Sequence, residues 1–140
     1  MARELKIENL VVWQLACEFE DGVLDLLERS PTARRDFKLY VQLSDAASSV
    51  SSNLAEGFYR FNAREFANFV RYSSGSLGEA ERRLRAGVRK RHWAQSQADP
   101  LLSLVLRLRP ALNGFRLYLL KAAERTQTRR RSAALERGRT

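Results

Sequence analysis

Apolar residues recur at three- and four-residue intervals along most of this chain of 140 residues, and no useful length of it alternates with period two. That period stacks side chains on one face of an α-helix, whereas a half-buried strand needs strict alternation. The chain therefore reads as all-α. The first helical segment runs from about residue 10 to residue 28, with Leu10, Trp13, Ala16, Cys17, Val23, Leu24 and Leu27 as its stripe. Ser30-Pro31 closes it. The second, from about residue 35 to residue 60, aligns Phe37, Tyr40, Leu43, Ala47, Val50, Leu54 and Phe58. Asn62 opens the third as a cap, with Glu65 three residues on, and its stripe runs from Phe66 through Val70, Leu77 and Leu84 to Val88. The fourth follows "AQSQADP" from Leu101, and Pro110 inside it should kink it by removing one backbone donor.

Long helices with short connections favour neighbours of opposite direction. The expected architecture is an up-down-up-down antiparallel four-helix bundle over residues 1–125. Residues 126–140, "TQTRRRSAALERGRT", have little to bury and are expected as a basic, disordered tail. The fourth helix also carries a second apolar row, Leu102, Leu106, Leu117 and Leu120, and the first carries Val12, Leu15, Phe19 and Leu26 outside its main stripe. A bundle needs one stripe per helix, so these rows point to self-association. The alternative is a broad stripe on a slightly rotated helix.

One stretch runs against helix propensity: "NLAEGFYR", residues 53–60. Asn and Gly are poor helix formers, with Gly costing about 1 kcal/mol relative to Ala. The reading favoured here is a polar knot that fixes register. Gly57 lets the second helix approach Gly75 or Gly78 of the third, while Asn53, Glu56, Arg60, Ser73 and Ser76 satisfy one another. Glu56 and Arg60 stand at i and i+4 in the favourable order. The alternative is a polar ligand site at the same place.

The formal net charge is +9, and its distribution is uneven. Residues 1–30 carry −4, residues 62–95 carry +5 and residues 126–140 carry +4. Such asymmetry favours a polyanionic partner, nucleic acid before membrane; the alternative is a merely solvated arginine-rich surface. Arg82, Arg85 and Arg89 follow i, i+3, i+7 and form one row, with Lys90 and Arg91 beside it and Arg129, Arg130 and Arg131 in the tail. Trp93 either closes the end of the bundle or stacks on a base.

Other chemistry finds little support. One Cys and one His, Cys17 and His92, exclude an internal disulfide and offer no zinc or di-iron spacing. No cofactor, metal or enzymatic activity is expected. The apolar run in the fourth helix is cut by Arg107, Arg109 and Arg116, so no membrane span is expected. The charged start "MARELKIENL" lacks a secretory signal, which together with the single Cys suggests a cytoplasmic protein.

The runs "LVVWQLA" (10–16), "FKLYVQLSDAASSVSSNLAEGFYR" (37–60) and "EFANFVRYSSGSLGE" (65–79) resemble the bacterial four-helix-bundle proteins encoded within intervening sequences of 23S rRNA genes. The resemblance covers roughly residues 7–122, through "N-x-A-E-G-x-x-R" and "G-S-L-x-E". It implies a homopentamer of bundles. It also includes relatives of the accessory variability determinant, the basic partner of reverse transcriptase in diversity-generating retroelements. Two departures stand out: Ser44 and Asp45 follow Gln42 where basic residues are often found, and Ser51 replaces a frequent proline, which should leave the second helix straighter. The expected function is a non-enzymatic, homo-oligomeric, nucleic-acid-binding accessory protein, with a reverse transcriptase as one candidate partner. The alternative is a protein-interaction scaffold whose basic face docks an acidic protein.

Overall fold

The computed structural model describes residues 5–139, and among them every regular element is helical. A 3-10 turn at Ile7–Asn9 precedes α1 (Val11–Arg29), the short α2 (Pro31–Arg35), α3 (Phe37–Phe58), α4 (Ala63–Arg89) and α5 (Gln95–Arg137). Four of these are long and form a helical bundle. α3 packs on α4, α4 on α5, and α1 touches both α3 and α5.

Local chemistry explains each boundary. Ser30 Oγ accepts from the Ala33 amide at 3.1 Å, and Pro31 takes the first helical position, where no donor is needed. Asp36 Oδ1 accepts from Leu39 N at 3.3 Å and caps α3, which is the expected second segment, while α2 is a short extra helix in the connection before it. Asn62 Oδ1 caps α4 through Glu65 N at 2.9 Å, as expected. Two residues past the end of α4, Arg91 has a φ of 63° and turns the chain into the left-handed region. His92 N–H then bonds Gly87 O at 2.9 Å and Arg91 N–H bonds Val88 O at 3.0 Å. That pair of hydrogen bonds is the Schellman closure of a helix.

The core runs between the four long helices. Phe19, Val23, Leu26 and Leu27 of α1 meet Leu43, Val50 and Leu54 of α3, Val70, Leu77 and Leu84 of α4, and Leu108 and Leu112 of α5. This corrects the reading of the first helix. Val12, Leu15, Phe19 and Leu26, expected as a surplus row, are buried together with Ala16, Val23 and Leu27 of the main stripe, so α1 has one broad, slightly rotated core face; Leu24 is exposed and Trp13 and Cys17 are only half-buried. The two rows sit about 100° apart, and periodicity alone does not say where between them the centre of the buried face falls. On α5, Leu102 is buried and Leu120 packs at the core margin, whereas Leu106 and Leu117 stay exposed.

α5 differs from expectation at both ends. It begins at Gln95, six residues early, and carries Pro100 and Pro110 without interruption. It also continues to Arg137, so residues 126–137 are helical rather than irregular, although every residue from Glu124 to Arg139 is exposed. Ala, Leu, Glu and Arg are good helix formers, and the packed part of α5 supplies the costly nucleus from which they extend.

The polar knot is only half present. A Cβ on Gly57 would sit 2.6 Å from Phe66 Cδ1 and 2.9 Å from Phe69 Cβ, so α3 and α4 do approach closely there. The partner surface is aromatic, however, and Gly75 and Gly78 face open space. Asn53 bonds within its own helix, to Ser49 O at 2.8 Å, and the Glu56–Arg60 pair at 2.7 Å is exposed. Ser76 makes no bond to Asn53; it lines a small groove with Gln42, Asp45 and Ser49. The one cross-helix bond of the set is Ser73 Oγ to Val50 O at 2.8 Å. At Ser51, the hydroxyl instead ties α3 to α1 by donating to Glu20 Oε1 at 2.7 Å.

Gly57→Ala should therefore destabilise the fold by about 1–3 kcal/mol through overpacking. Gly75→Ala has open space and should stabilise by up to about 1 kcal/mol. Urea melts of the two variants check the opposite signs; a gain for both would mean that α3 and α4 are not in close contact at Gly57.

Candidate nucleic-acid interface

The arginine row expected on the third long helix lies on α4, and Arg82, Arg85 and Arg89 are all exposed. It is longer than expected. Arg64 and Arg71 continue it at separations of seven and eleven residues, with Arg89 seven beyond Arg82. Eighteen residues make five full helical turns, so Arg64 and Arg82 point the same way, as do Arg71 and Arg89, and the two pairs lie only about 20° apart. This spacing was present in the sequence; the extension to Arg64 and Arg71 was missed because a glycine-rich centre, Gly75 and Gly78, interrupts the charge.

The members of the row differ in how far they are already neutralised. Arg85 faces Glu81 at 3.5 Å, and Arg109 of α5 binds the same carboxylate at 2.7 Å. The Arg109 hydrogen bond, and then the nearby guanidinium charges, hold the Glu81 carboxyl below its usual range. Arg64, Arg71, Arg82 and Arg89 have no carboxylate partner among the described residues. Arg71 lies over the Tyr72 ring at 5.1 Å.

The other predicted residues are not gathered into one site. Lys90 bonds Asp36 at 3.0 Å, and Arg91 is exposed at the end of α4. Arg129, Arg130 and Arg131 are exposed on the overhanging part of α5. Successive residues turn by about 100°, so the three fan out in different directions. Arg130 reaches back to a groove beside Arg64 at the start of α4. The length of α4, roughly 40 Å at 1.5 Å per residue, separates that groove from Arg89 and Arg91.

A cluster that sequence reasoning missed ties the far end together. His92 Nε2 meets Asp36 Oδ2 at 2.9 Å, and its Nδ1 meets Thr32 Oγ1 at 2.9 Å. Ser30 Oγ donates to the His92 carbonyl at 2.7 Å. The Thr32 hydroxyl, His92 imidazole and Asp36 carboxylate are bonded in series, and the groups around them hold structure: Ser30 and Asp36 cap helices, and Lys90 shares Asp36. The arrangement latches the α2–α3 corner onto the α4–α5 link. Asp36 and His92 are 56 positions apart in the chain, which leaves no local signal for it.

The His92 bond first, then the Lys90 bond, hold the Asp36 carboxyl down at about 2 against a usual 3.8. A depressed folded-state value means the latch stabilises fully above the unfolded value and loses that contribution as pH falls toward about 2. Thermal melts between pH 5 and 2, roughly the span over which such a carboxyl titrates, should show Asp36→Asn losing less stability on acidification than the wild type. Parallel curves would mean that Asp36 gains nothing from folding.

Beside the latch, Trp93 is buried against Gly87 and donates from Nε1 to Leu84 O at 3.0 Å. Of its two expected roles, it closes the bundle end. Among the described residues no group of His, Cys, Asp and Glu is placed to hold a metal, and no helix is long and apolar enough to cross a membrane.

Fold and surface together define a helical bundle protein with one strongly basic helix face. Residues 8–114 match the 23S rRNA-intervening sequence protein family, and the chain belongs to it. No curated protein matches the chain. The matched region contains the whole α4 row and ends within α5, before Arg129–Arg131.

Proposed function

We propose that this protein is a non-enzymatic, cytoplasmic, up-down-up-down antiparallel four-helix bundle that assembles as a homopentamer and binds nucleic acid through the arginine face of α4. The observation that carries the reading is the row Arg64, Arg71, Arg82 and Arg89, exposed on one face without a carboxylate partner among the described residues. Arg29, Arg34, Arg60 and Arg109 elsewhere do have such partners. An uncompensated row of guanidinium groups presents a line of donors and a positive field, which a phosphate backbone complements. Membership of the 23S rRNA-intervening sequence family is compatible with that partner.

Opposed helix directions are supported by Tyr40–Glu28 and Ser51–Glu20 between α1 and α3, and by Ser73–Val50 and the Gly57–Phe66 approach between α3 and α4. Self-association is supported by Leu106, Pro110, Asn113 and Leu117, all exposed within one narrow arc of α5. The homopentamer, and an accessory role beside a reverse transcriptase, rest on the resemblance to the retroelement proteins.

A second reading is favoured by the open space over Gly75 and Gly78, which would let the backbone of an acidic helical partner lie close to α4. Anisotropy titrations of labelled RNA and DNA at several salt concentrations separate the two. Nucleic-acid binding is expected to weaken steeply with salt and to show little sequence preference. The same preparation should sediment near five chain masses. Weak, salt-insensitive binding together with a stoichiometric, nuclease-resistant protein partner would establish the second reading instead.

A further inference from the structure

We infer that the corner where α5 leaves the bundle is a site for an unpaired nucleotide, with its base stacked on Phe61 and its phosphate held by Arg64 and Arg130. The inference rests on the nucleic-acid reading above and assigns a ligand to one part of that surface.

Phe61 is the most exposed large apolar residue described, at 88 %. It also sits at φ 54°, where a β-carbon crowds the following carbonyl and where glycine would sit freely. The α3–α4 turn thus holds a bulky side chain in a strained conformation although that ring buries almost nothing in its own chain. Its ring has no aromatic partner, whereas Phe58, Tyr59, Phe66 and Phe69 close by all pack edge-to-face on neighbours. Strain kept at an exposed residue, with no packing return, points to a partner outside the chain.

The groove beside Phe61 has a volume of about 710 Å³, within the range that holds small organic ligands. Arg64 comes from the first turn of α4 and Arg130 from the overhanging part of α5, and neither has a carboxylate partner among the described residues. No Asp or Glu lines the groove; Thr126 and Gln127 supply neutral donors and acceptors. An open aromatic ring in one groove with two guanidinium groups is the combination used for single strands, since every base has a π-face and every nucleotide a phosphate. A duplex keeps its bases stacked inside and has none to offer Phe61. Preference for single strands over duplex is therefore the signature of this corner.

The test is anisotropy of the full chain with fluorescein-labelled oligouridine and with an RNA duplex of equal length. Phe61→Ala should weaken oligouridine binding about five-fold or more, the lower range for one stacked base, and leave duplex binding unchanged. Phe61→Trp should retain oligouridine binding. Phe61→Gly should lose it yet melt no lower than wild type, because the strained φ is relieved. Arg130→Ala should flatten the oligouridine log–log salt slope by about 0.7. Unchanged oligouridine affinity in Phe61→Ala, an equal loss on duplex, or a change in its sedimentation mass overturns the stacking site and leaves the α4 reading standing. Binding of neither probe by the wild type overturns both.

Discussion

Trp93→Ala should destabilise the fold by about 3–5 kcal/mol, the usual cost of emptying a buried aromatic site. The indole is 4 % exposed and lies directly on Gly87, where an added Cβ would overlap its six-membered ring. Its removal leaves a void under the α4–α5 link, and the Leu84 carbonyl loses the donor it holds at 3.0 Å. Gly87→Leu should damage the same contact from the other side by overpacking, at about 1–3 kcal/mol or more. The two variants share one volume, so their effects should not add. Gly87→Leu combined with Trp93→Ala should be more stable than the sum of the single losses, because the leucine partly fills the void. Urea denaturation of the four proteins reads this directly. A loss below about 1 kcal/mol for Trp93→Ala would show that the ring does not close the bundle.

Reversing Arg64, Arg71, Arg82 and Arg89 together to Glu should remove most nucleic-acid binding while leaving the assembled mass unchanged. Each lost phosphate contact flattens the log–log salt slope by about 0.7 on single strands, so four contacts account for a change of roughly 3 per chain. At 0.1 M salt a slope of that size corresponds to two to three decades in affinity, roughly, before the added repulsion is counted. The loss should be nearly the same for every sequence, since phosphate contacts position a strand without reading its bases. Arg83→Glu is the matched control: it lies on α4 but off the row, 4.0 Å from Glu79. An unchanged slope in the fourfold variant would remove α4 as the binding face. Arg85 is left out because Glu81 already opposes it.

A helical bundle with four long helices was legible from periodicity, since 3.6-residue spacing admits no sheet, and the Asn62 cap and the arginine row were legible because both act within a few residues or along one helix. The sequence by itself also determined the family. Tertiary structure alone decided the rest. How wide the buried face of α1 is depends on how the helix is rotated against α3 and α5, which is why Val12, Leu15, Phe19 and Leu26 join Ala16, Val23 and Leu27 in the core instead of forming a separate outer row. What Gly57 touches depends on register, and the answer was two phenylalanines rather than another glycine. The Asp36–His92 latch and the groove joining Phe61, Arg64 and Arg130 bring together residues far apart in the chain. Such contacts leave no trace in local spacing, because they exist only once the helices have packed and a long α5 has been carried past the end of its neighbours.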